Sequence, residues 1–281
     1  MDVARALEWG GHMLRESGID TAARDVEILL QELLGMNRSA LYLDRNRALL
    51  PEQEMVFQQW IEQRCARMPL QYILRKAWFM DMELYVDERV LIPRPETELL
   101  VEAVVQEAKG MPEPPQILDI GTGSGAIAIA LARYMSGCRV WAVDISLDAL
   151  AVARINVEKY GLQQRVALLE GDLFEPVKGM AFDIIVSNPP YIARNDLMEL
   201  APEVRSEPEL ALNGGQDGLD FYRKLCHAGE LLKPHGFLAL EIGYDQGRAV
   251  SDILRKCDFK DVRVLKDFAG MDRIVLAYKW K

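Results

Sequence analysis

The sequence predicts an α/β protein: a doubly wound, mostly parallel sheet of seven strands, preceded by a smaller all-α domain and joined to it by a β-hairpin. Three observations carry this expectation. From about residue 115 onward, short apolar runs alternate with amphipathic stretches, the pattern of β/α units. The first of those runs turns directly into a glycine-rich segment that opens a helix. Residues 1–75 show helical periodicity and no hairpin signal.

In the N-terminal region, Val26, Leu29, Leu30, Leu33 and Leu34 recur at helical spacing, with Asp20 or Thr21 placed to cap the start and Gly35 to close the end. A second helix is expected from Pro51 to about Arg67, with Met55, Phe57, Trp60 and Ile61 on its apolar face. Residues 76–93 are rich in aromatics and partly alternating, which suits a hairpin linker. Pro93-Arg94-Pro95 then breaks regular structure, and Leu99 to Val105 begin the first helix of the larger domain, 94–281. Strands are expected at 116–120, 139–145, 166–170, 182–187, 237–242, 262–267 and 274–278. Helices are expected at 126–134, 147–160, 220–232 and 246–256. Such a sheet binds ligands at the carboxyl ends of its strands.

Half of the 281 residues are hydrophobic and 27% are charged, a globular balance. No apolar run approaches the ~20 residues of a membrane span. The opening Met1-Asp2-Val3-Ala4-Arg5 lacks the layout of a signal peptide, so a cytoplasmic protein without membrane association is expected. Cys65, Cys138, Cys226 and Cys257 form no Cys-x-x-Cys pair and read as reduced thiols. His12, His227 and His235 share no ligand spacing with them, so no metal is expected. A net charge of −10, from 33 Lys+Arg against 43 Asp+Glu, argues against stable nucleic-acid binding and suits a basic protein partner.

The chemistry concentrates at four strand ends. Asp119-Ile120-Gly121-Thr122-Gly123-Ser124-Gly125 follows the first strand, where glycines let backbone N–H groups approach a ligand at a helix N-terminus. Asp144, at the tip of the second strand, can accept hydrogen bonds from a ribose diol. Nicotinamide dinucleotides and S-adenosylmethionine both call for that feature. An acid before the glycines, Asp119, can meet the ammonium of a methionine moiety, and Asp172 follows the third strand where adenine would lie. Both favour S-adenosylmethionine. After the fourth strand comes Asn188-Pro189-Pro190-Tyr191. It combines a side-chain amide oxygen, proline carbonyls with no competing N–H, and a flat ring, a set able to hold a planar –NH₂ by both hydrogens.

These residues together resemble the glutamine methyltransferases that modify peptide chain release factors. The resemblance runs through Pro69-Leu70-Gln71-Tyr72-Ile73, Leu91-Ile92-Pro93-Arg94-Pro95-Glu96-Thr97-Glu98, the loop from Asp119 to Gly125, and Val186-Ser187-Asn188-Pro189-Pro190-Tyr191-Ile192. It continues in Glu207-Pro208, Gly214-Gly215-Gln216-Asp217-Gly218, Leu240-Glu241-Ile242-Gly243 and Asp272-Arg273. One departure is Arg75, near which the family usually has Gly. The resemblance implies a Rossmann-like methyltransferase sheet, with the helical domain helping to bind the protein substrate. It implies methyl transfer from S-adenosylmethionine to the side-chain amide nitrogen of a release-factor glutamine in a Gly-Gly-Gln motif. Gly121 to Gly125, Asp144, Leu173, Asn188 and Phe79 match the family's cofactor surroundings, and Asn188 to Tyr191 its substrate pocket.

On this reading Asn188 Oδ1 and the Pro189 carbonyl accept the two amide hydrogens while Tyr191 packs on the amide plane. Arg94 either braces the pocket or meets the substrate backbone, and Glu207 shapes the following loop; alternatively both are solvated surface charges. Glu241 is expected near the site, in a structural or a functional role. Gly214-Gly215-Gln216 is expected as a plain loop, though it mimics the kind of segment such an enzyme modifies. Two rivals stand beside this reading: an adenine amino-methyltransferase acting on DNA or RNA, and a non-catalytic S-adenosylmethionine sensor.

Overall fold

The computed structural model describes residues 1–111 and 113–279. The chain divides into two compact units: Met1–Lys76 together with Ala201–Ser206, and Ala77–Leu200 together with Glu207–Lys281.

The first unit is helical, with α1 (Val3–Glu16), α2 (Ala22–Leu34), α3 (Arg38–Leu43), α4 (Pro51–Cys65) and α5 (Leu70–Leu74). The α2 stripe buries Val26, Leu29 and Leu30 completely against Phe57 and Ile61 of α4. Gly10 of α1 sits where an added Cβ would lie 3.1 Å from Phe57, Ile61 and Val26, so its lack of a side chain sets how closely the three helices approach. Met55, expected on the apolar face, is exposed. Within this unit Arg64 is buried and donates to Asp25 (Nε to Oδ2, 2.8 Å) and to Glu203 (3.0 Å), which holds the short 201–206 segment to the bundle. Arg75 ends α5 in the left-handed conformation, φ 56° and ψ 32°, a geometry that costs a non-glycine residue about 1–2 kcal/mol. That strain accounts for the glycine expected near this position.

The second unit opens with a short antiparallel hairpin, β1 (Ala77–Phe79) and β2 (Met82–Leu84), followed by α6 (Pro95–Glu107). Then β3 (Gln116–Ile120), α7 (Ala126–Tyr134), β4 (Arg139–Asp144), α8 (Leu147–Lys159), β5 (Val166–Glu170) and β6 (Phe182–Ser187) alternate. After α9 (Glu209–Leu212) and α10 (Asp220–Leu225) come β7 (Leu232–Glu241), α11 (Gly247–Lys256), β8 (Lys260–Lys266) and β9 (Asp272–Tyr278). The seven-stranded sheet has the order β5-β4-β3-β6-β7-β9-β8, with only the β9 pairings antiparallel. Successive residues alternate between its faces: Ile117, Ile184 and Phe237 enter one hydrophobic cluster, while Leu118, Ile185 and Leu238 enter the other.

Two expectations are corrected here. The helix expected over 220–232 stops at Leu225, continues as a 3₁₀ stretch Cys226–Glu230, and β7 begins five residues before its expected start. The isolated Gly229 and the Pro234 ahead of Gly236 hid that early strand entry, since neither favours an extended core strand by composition. Cys226 and Cys257 form a disulfide, with Cα atoms 5.8 Å apart, whereas Cys65 and Cys138 are free. Their 31-residue separation conceals that α10 and α11 pack together and bring their C-terminal ends side by side.

Candidate active site

Strand order reverses at β3, whose neighbours are β4 on one side and β6 on the other, and a crevice opens beyond their carboxyl ends. Ile120 and Ser187 are register partners at the tips of β3 and β6, and Ser187 Oγ donates to the Ile120 carbonyl at 2.7 Å. The glycine loop and Asn188 therefore emerge side by side. Gly121 and Gly123, Asp144, Asp172 and Leu173, and Asn188, Pro189 and Pro190 all line one cleft there. Ile145, Ser146 and Phe221 complete its wall.

The loop is built for a close ligand. Gly121 and Gly123 have φ values of 71° and 54°, and a Cβ at either would meet nothing within 4 Å. Asp144 receives the Gly123 N–H on Oδ2 (2.8 Å) and the Ser146 N–H on Oδ1 (3.0 Å). Burial nonetheless raises its carboxyl above the ordinary value, offset in part by those two donors. Beneath the loop, Asp119 is fully buried and accepts from Thr122 Oγ1 at 2.6 Å. Its other oxygen, Oδ1, has no hydrogen-bond partner among the described residues. Burial, and then the nearby Asp144 charge, push its carboxyl up to about 7. Ser124 is buried, and its carbonyl takes a hydrogen bond from Asn156 (2.9 Å), which also exchanges two bonds with the Tyr85 backbone. Gly125 starts α7.

Asn188 is held by one end. Its Nδ2 donates to Thr97 Oγ1 of α6 at 3.0 Å, which turns Oδ1 the other way. Among the described residues no hydrogen bond reaches Oδ1 or the Pro189 carbonyl. Two neutral acceptors at the cleft are thus unengaged.

Other expected site residues lie elsewhere. Tyr191 does not line the cleft: its ring packs on the sheet cluster, its carbonyl accepts from Gln246 Nε2 (3.0 Å), and its phenol lies against Glu241. Desolvation in that setting raises its hydroxyl to about 12. Phe79 is wholly buried in the core cluster with Met82 and Leu84, and it too is absent from the cleft wall. Arg94 pairs with Glu207, whose other oxygen accepts the Ile92 N–H at 3.0 Å, and Glu207 is buried. The alternative of a solvated Glu207 is therefore wrong. Gln216 is exposed. Sequence reasoning missed Thr97, Asn156 and Phe221; only the Glu-Thr-Glu segment after Pro95 gave any signal, as a helix start. Among the described residues, no cluster of His, Cys, Asp or Glu is arranged to hold a metal, and no helix is long and apolar enough to cross a membrane.

Comparison with known proteins follows this division. Residues 5–74 match the PrmC N-terminal domain family, and residues 95–207 the Methyltransferase small domain family. The chain is 44% identical to the release factor glutamine methyltransferase of Moorella thermoacetica over 99% of both chains. It is 41% identical to that of Gloeobacter violaceus, over 97% of this chain and 96% of the other. A methyltransferase structure from Pyrococcus furiosus superposes with a TM-score of 0.55 at 19% identity, covering 83% of this chain and all of that one, which speaks to the fold. With near-complete coverage at such identity, the chain belongs to the release factor glutamine methyltransferase family.

Proposed function

We propose that this protein transfers a methyl group from S-adenosylmethionine to the side-chain amide nitrogen of the Gly-Gly-Gln glutamine of peptide chain release factors. The observation that carries the reading is the pair of unengaged acceptors, Asn188 Oδ1 and the Pro189 carbonyl, beside the glycine loop in one cleft. Family membership supports it.

The residues fit the cofactor. Open space above Gly121 and Gly123 admits a ligand to the loop backbone, and the partnerless Asp119 Oδ1 is a carboxylate oxygen suited to a nearby ammonium. Asp144 would accept from the ribose hydroxyls, with Asp172 and Leu173 beside the adenine. When bound, S-adenosylmethionine supplies an electrophilic sulfonium methyl. The chain's own task is orientation. An amide nitrogen is a weak nucleophile because its lone pair is delocalised into the carbonyl. Two neutral acceptors that grip both N–H bonds align the nitrogen and stabilise positive charge building on it, without a strong base. The product proton leaves to water. We place the protein substrate partly on the helical unit, and we assign the enzyme to the cytoplasm without stable nucleic-acid binding.

Incubation with labelled cofactor and either release factor or duplex DNA tests this. Label is expected on the release factor alone, and Asn188→Ala should lower the rate by about 10²–10³. Label on DNA but not on release factor would overturn the assignment in favour of an adenine amino-methyltransferase.

A further inference from the structure

The two prolines of the Asn-Pro-Pro-Tyr turn carry no N–H, so the chain has no backbone donor between Asn188 and Tyr191. Upstream, the turn is tied to the sheet through Ser187, whose Oγ donates to the Ile120 carbonyl at 2.7 Å. Its downstream end is fastened from outside the cleft, by Gln246 at the start of α11. Gln246 Nε2 donates to the Tyr191 carbonyl at 3.0 Å and to the Gly218 carbonyl at 3.3 Å, while its Oε1 accepts the Gly243 N–H at 2.9 Å. One side-chain amide thereby joins the segment just past β7, the turn and the 214–218 loop. With carbonyls on one side and an N–H on the other, only one orientation of that amide satisfies all three.

The 214–218 loop completes the grip. The Ile192 N–H donates to the Leu212 carbonyl at 3.1 Å, the Gly214 N–H to the Ile192 carbonyl at 2.8 Å, and the Arg194 N–H to the Gly215 carbonyl at 2.9 Å. Glycine is what lets these backbones come so near. A Cβ on Gly214 would lie 2.8 Å from both the Cα and the carbonyl carbon of Tyr191. On Gly218, whose φ is 75°, it would lie 2.4 Å from the Tyr191 carbonyl oxygen and 2.8 Å from Gln246 Nε2. The Gly-Gly-Gln-Asp-Gly stretch, expected as a plain loop, is thus moulded to the Tyr191 backbone.

We propose that Gln246, Gly214 and Gly218 are positioning residues for amide methylation: they hold the Tyr191 carbonyl and, through the two prolines, fix the aim of the Pro189 carbonyl at the substrate amide. The inference rests on the two-acceptor reading given above. Proline locks φ at both intervening residues, so a displacement at Tyr191 is carried to Pro189 with little slack. Pro189 and Pro190 line the cleft, whereas Gln246 and Tyr191 lie outside it, and Gln246 therefore acts only through the turn.

Kinetics separate this role from a structural one. Gln246→Met keeps the length of the side chain and removes its hydrogen bonds. Its kcat for release-factor methylation should fall about 10- to 100-fold, the effect of misplacing a reacting group by about an ångström. The KM for release factor and the affinity for S-adenosylhomocysteine should stay within about twofold, because the lost interaction bears on the aligned state and not on ground-state binding. Gly218→Ala leaves Gln246 in place and pushes the Tyr191 carbonyl from the loop side, so the same loss confined to kcat is expected; it also serves should Gln246→Met fail to fold. Ser251→Ala is the control. It removes a buried hydrogen bond of the same helix, Oγ to the Gly247 carbonyl at 2.7 Å, and should lower thermal stability while leaving kcat unchanged. Independently of activity, the backbone amides of Ile192 and Gly214 should exchange with solvent faster in Gln246→Met, with those of β3 and β6 unaltered. Full kcat in Gln246→Met or Gly218→Ala beside a crippled Asn188→Ala would overturn the positioning role and leave the function intact. So would unchanged exchange at Ile192 and Gly214, or a loss of kcat in Ser251→Ala as large as in Gln246→Met, which would trace the effect to helix stability. An Asn188→Ala enzyme with full kcat would instead remove the two-acceptor reading, and this inference with it.

Discussion

The backbone N–H of Gly123 donates to Asp144 Oδ2 at 2.8 Å, joining the glycine loop to the tip of the neighbouring strand across 21 residues. One carboxylate thus shapes the loop and, on the proposed reading, presents its remaining lone pairs to a ribose. Asp144→Asn should lose charge-assisted hydrogen bonds worth about 1.5–3 kcal/mol, roughly 10- to 100-fold in cofactor affinity. Titration calorimetry with S-adenosylhomocysteine measures this directly. Affinity within twofold of the unsubstituted protein would remove Asp144 from the ribose site.

Two buried carboxyls should make the ligand-free protein more stable in mild acid than at neutral pH. Burial pushes both Asp119 and Glu241 up to about 7. A carboxyl whose folded pKa exceeds its unfolded value binds its proton more tightly when folded. Its contribution is therefore fully present below the unfolded value, near 4, and is lost as pH rises through about 7. Each group should account for on the order of 3–4 kcal/mol across that interval. Carboxylates held low, such as Asp87 and Glu203, lose their stabilisation only at lower pH, whereas Asp144 and Glu207, also raised by burial, add to the decline. Urea denaturation at pH 5.5 and 8 should show the decline, and an Asp119→Asn, Glu241→Gln double variant should make it shallower. Equal slopes in the two proteins would exclude these residues as the source.

How much of this was readable beforehand depended on distance along the chain. The ends of β3, β4, β5 and β6 were legible because an apolar run followed by glycine, Asp or Asn-Pro-Pro is a local pattern, and a parallel sheet gathers such ends on one edge. Pairings between distant segments had no local signal. Thr97 sits among Pro, Glu and Glu in a first helical turn and reads as ordinary helix-start chemistry, and only the fold reveals Asn188 beside it. Cys226 and Cys257 were misread for the same reason. Tyr191 was expected beside the amide from its motif and Phe79 near the cofactor from the resemblance; what neither signal showed is that the two rings pack against the sheet clusters.

Asn156 illustrates the same blindness and yields a third prediction. In the sequence it is a polar residue inside α8; in the structure it is fully buried, accepting from the Tyr85 N–H (2.7 Å) and donating to the carbonyls of Tyr85 and Ser124 (both 2.9 Å). It fastens the segment after the hairpin to the glycine loop. Asn156→Ala strands one buried backbone group, the Ser124 carbonyl, and two partly buried ones at Tyr85; with about 1–3 kcal/mol for a buried group and less for those that rehydrate, a total loss of roughly 2–4 kcal/mol is expected. Thermal unfolding would register it, and the added stability conferred by S-adenosylhomocysteine should shrink as well, because the loop is released. A destabilised variant with full ligand-induced stabilisation would confine Asn156 to the scaffold.

The Arg94–Glu207 pair should show a pH-dependent asymmetry. Glu207 is buried and holds the Ile92 N–H on one oxygen and Arg94 on the other, while Arg94 remains about one-third exposed. Burial raises the Glu207 carboxyl and Arg94 draws it back down. Removing Arg94 leaves a buried carboxylate without its counter-charge, so its folded pKa climbs further above the unfolded one. The resulting loss is small where Glu207 is protonated and grows as pH rises. Arg94→Ala should therefore cost about 1 kcal/mol or less near pH 5 and about 2–4 kcal/mol near pH 8. Adding Glu207→Gln removes the titrating group, and the pH dependence of the Arg94→Ala penalty should vanish with it. Denaturant midpoints for the four proteins at the two pH values decide the matter: a penalty that is the same at both, or larger in acid, would mean that Glu207 stays charged and solvated without Arg94.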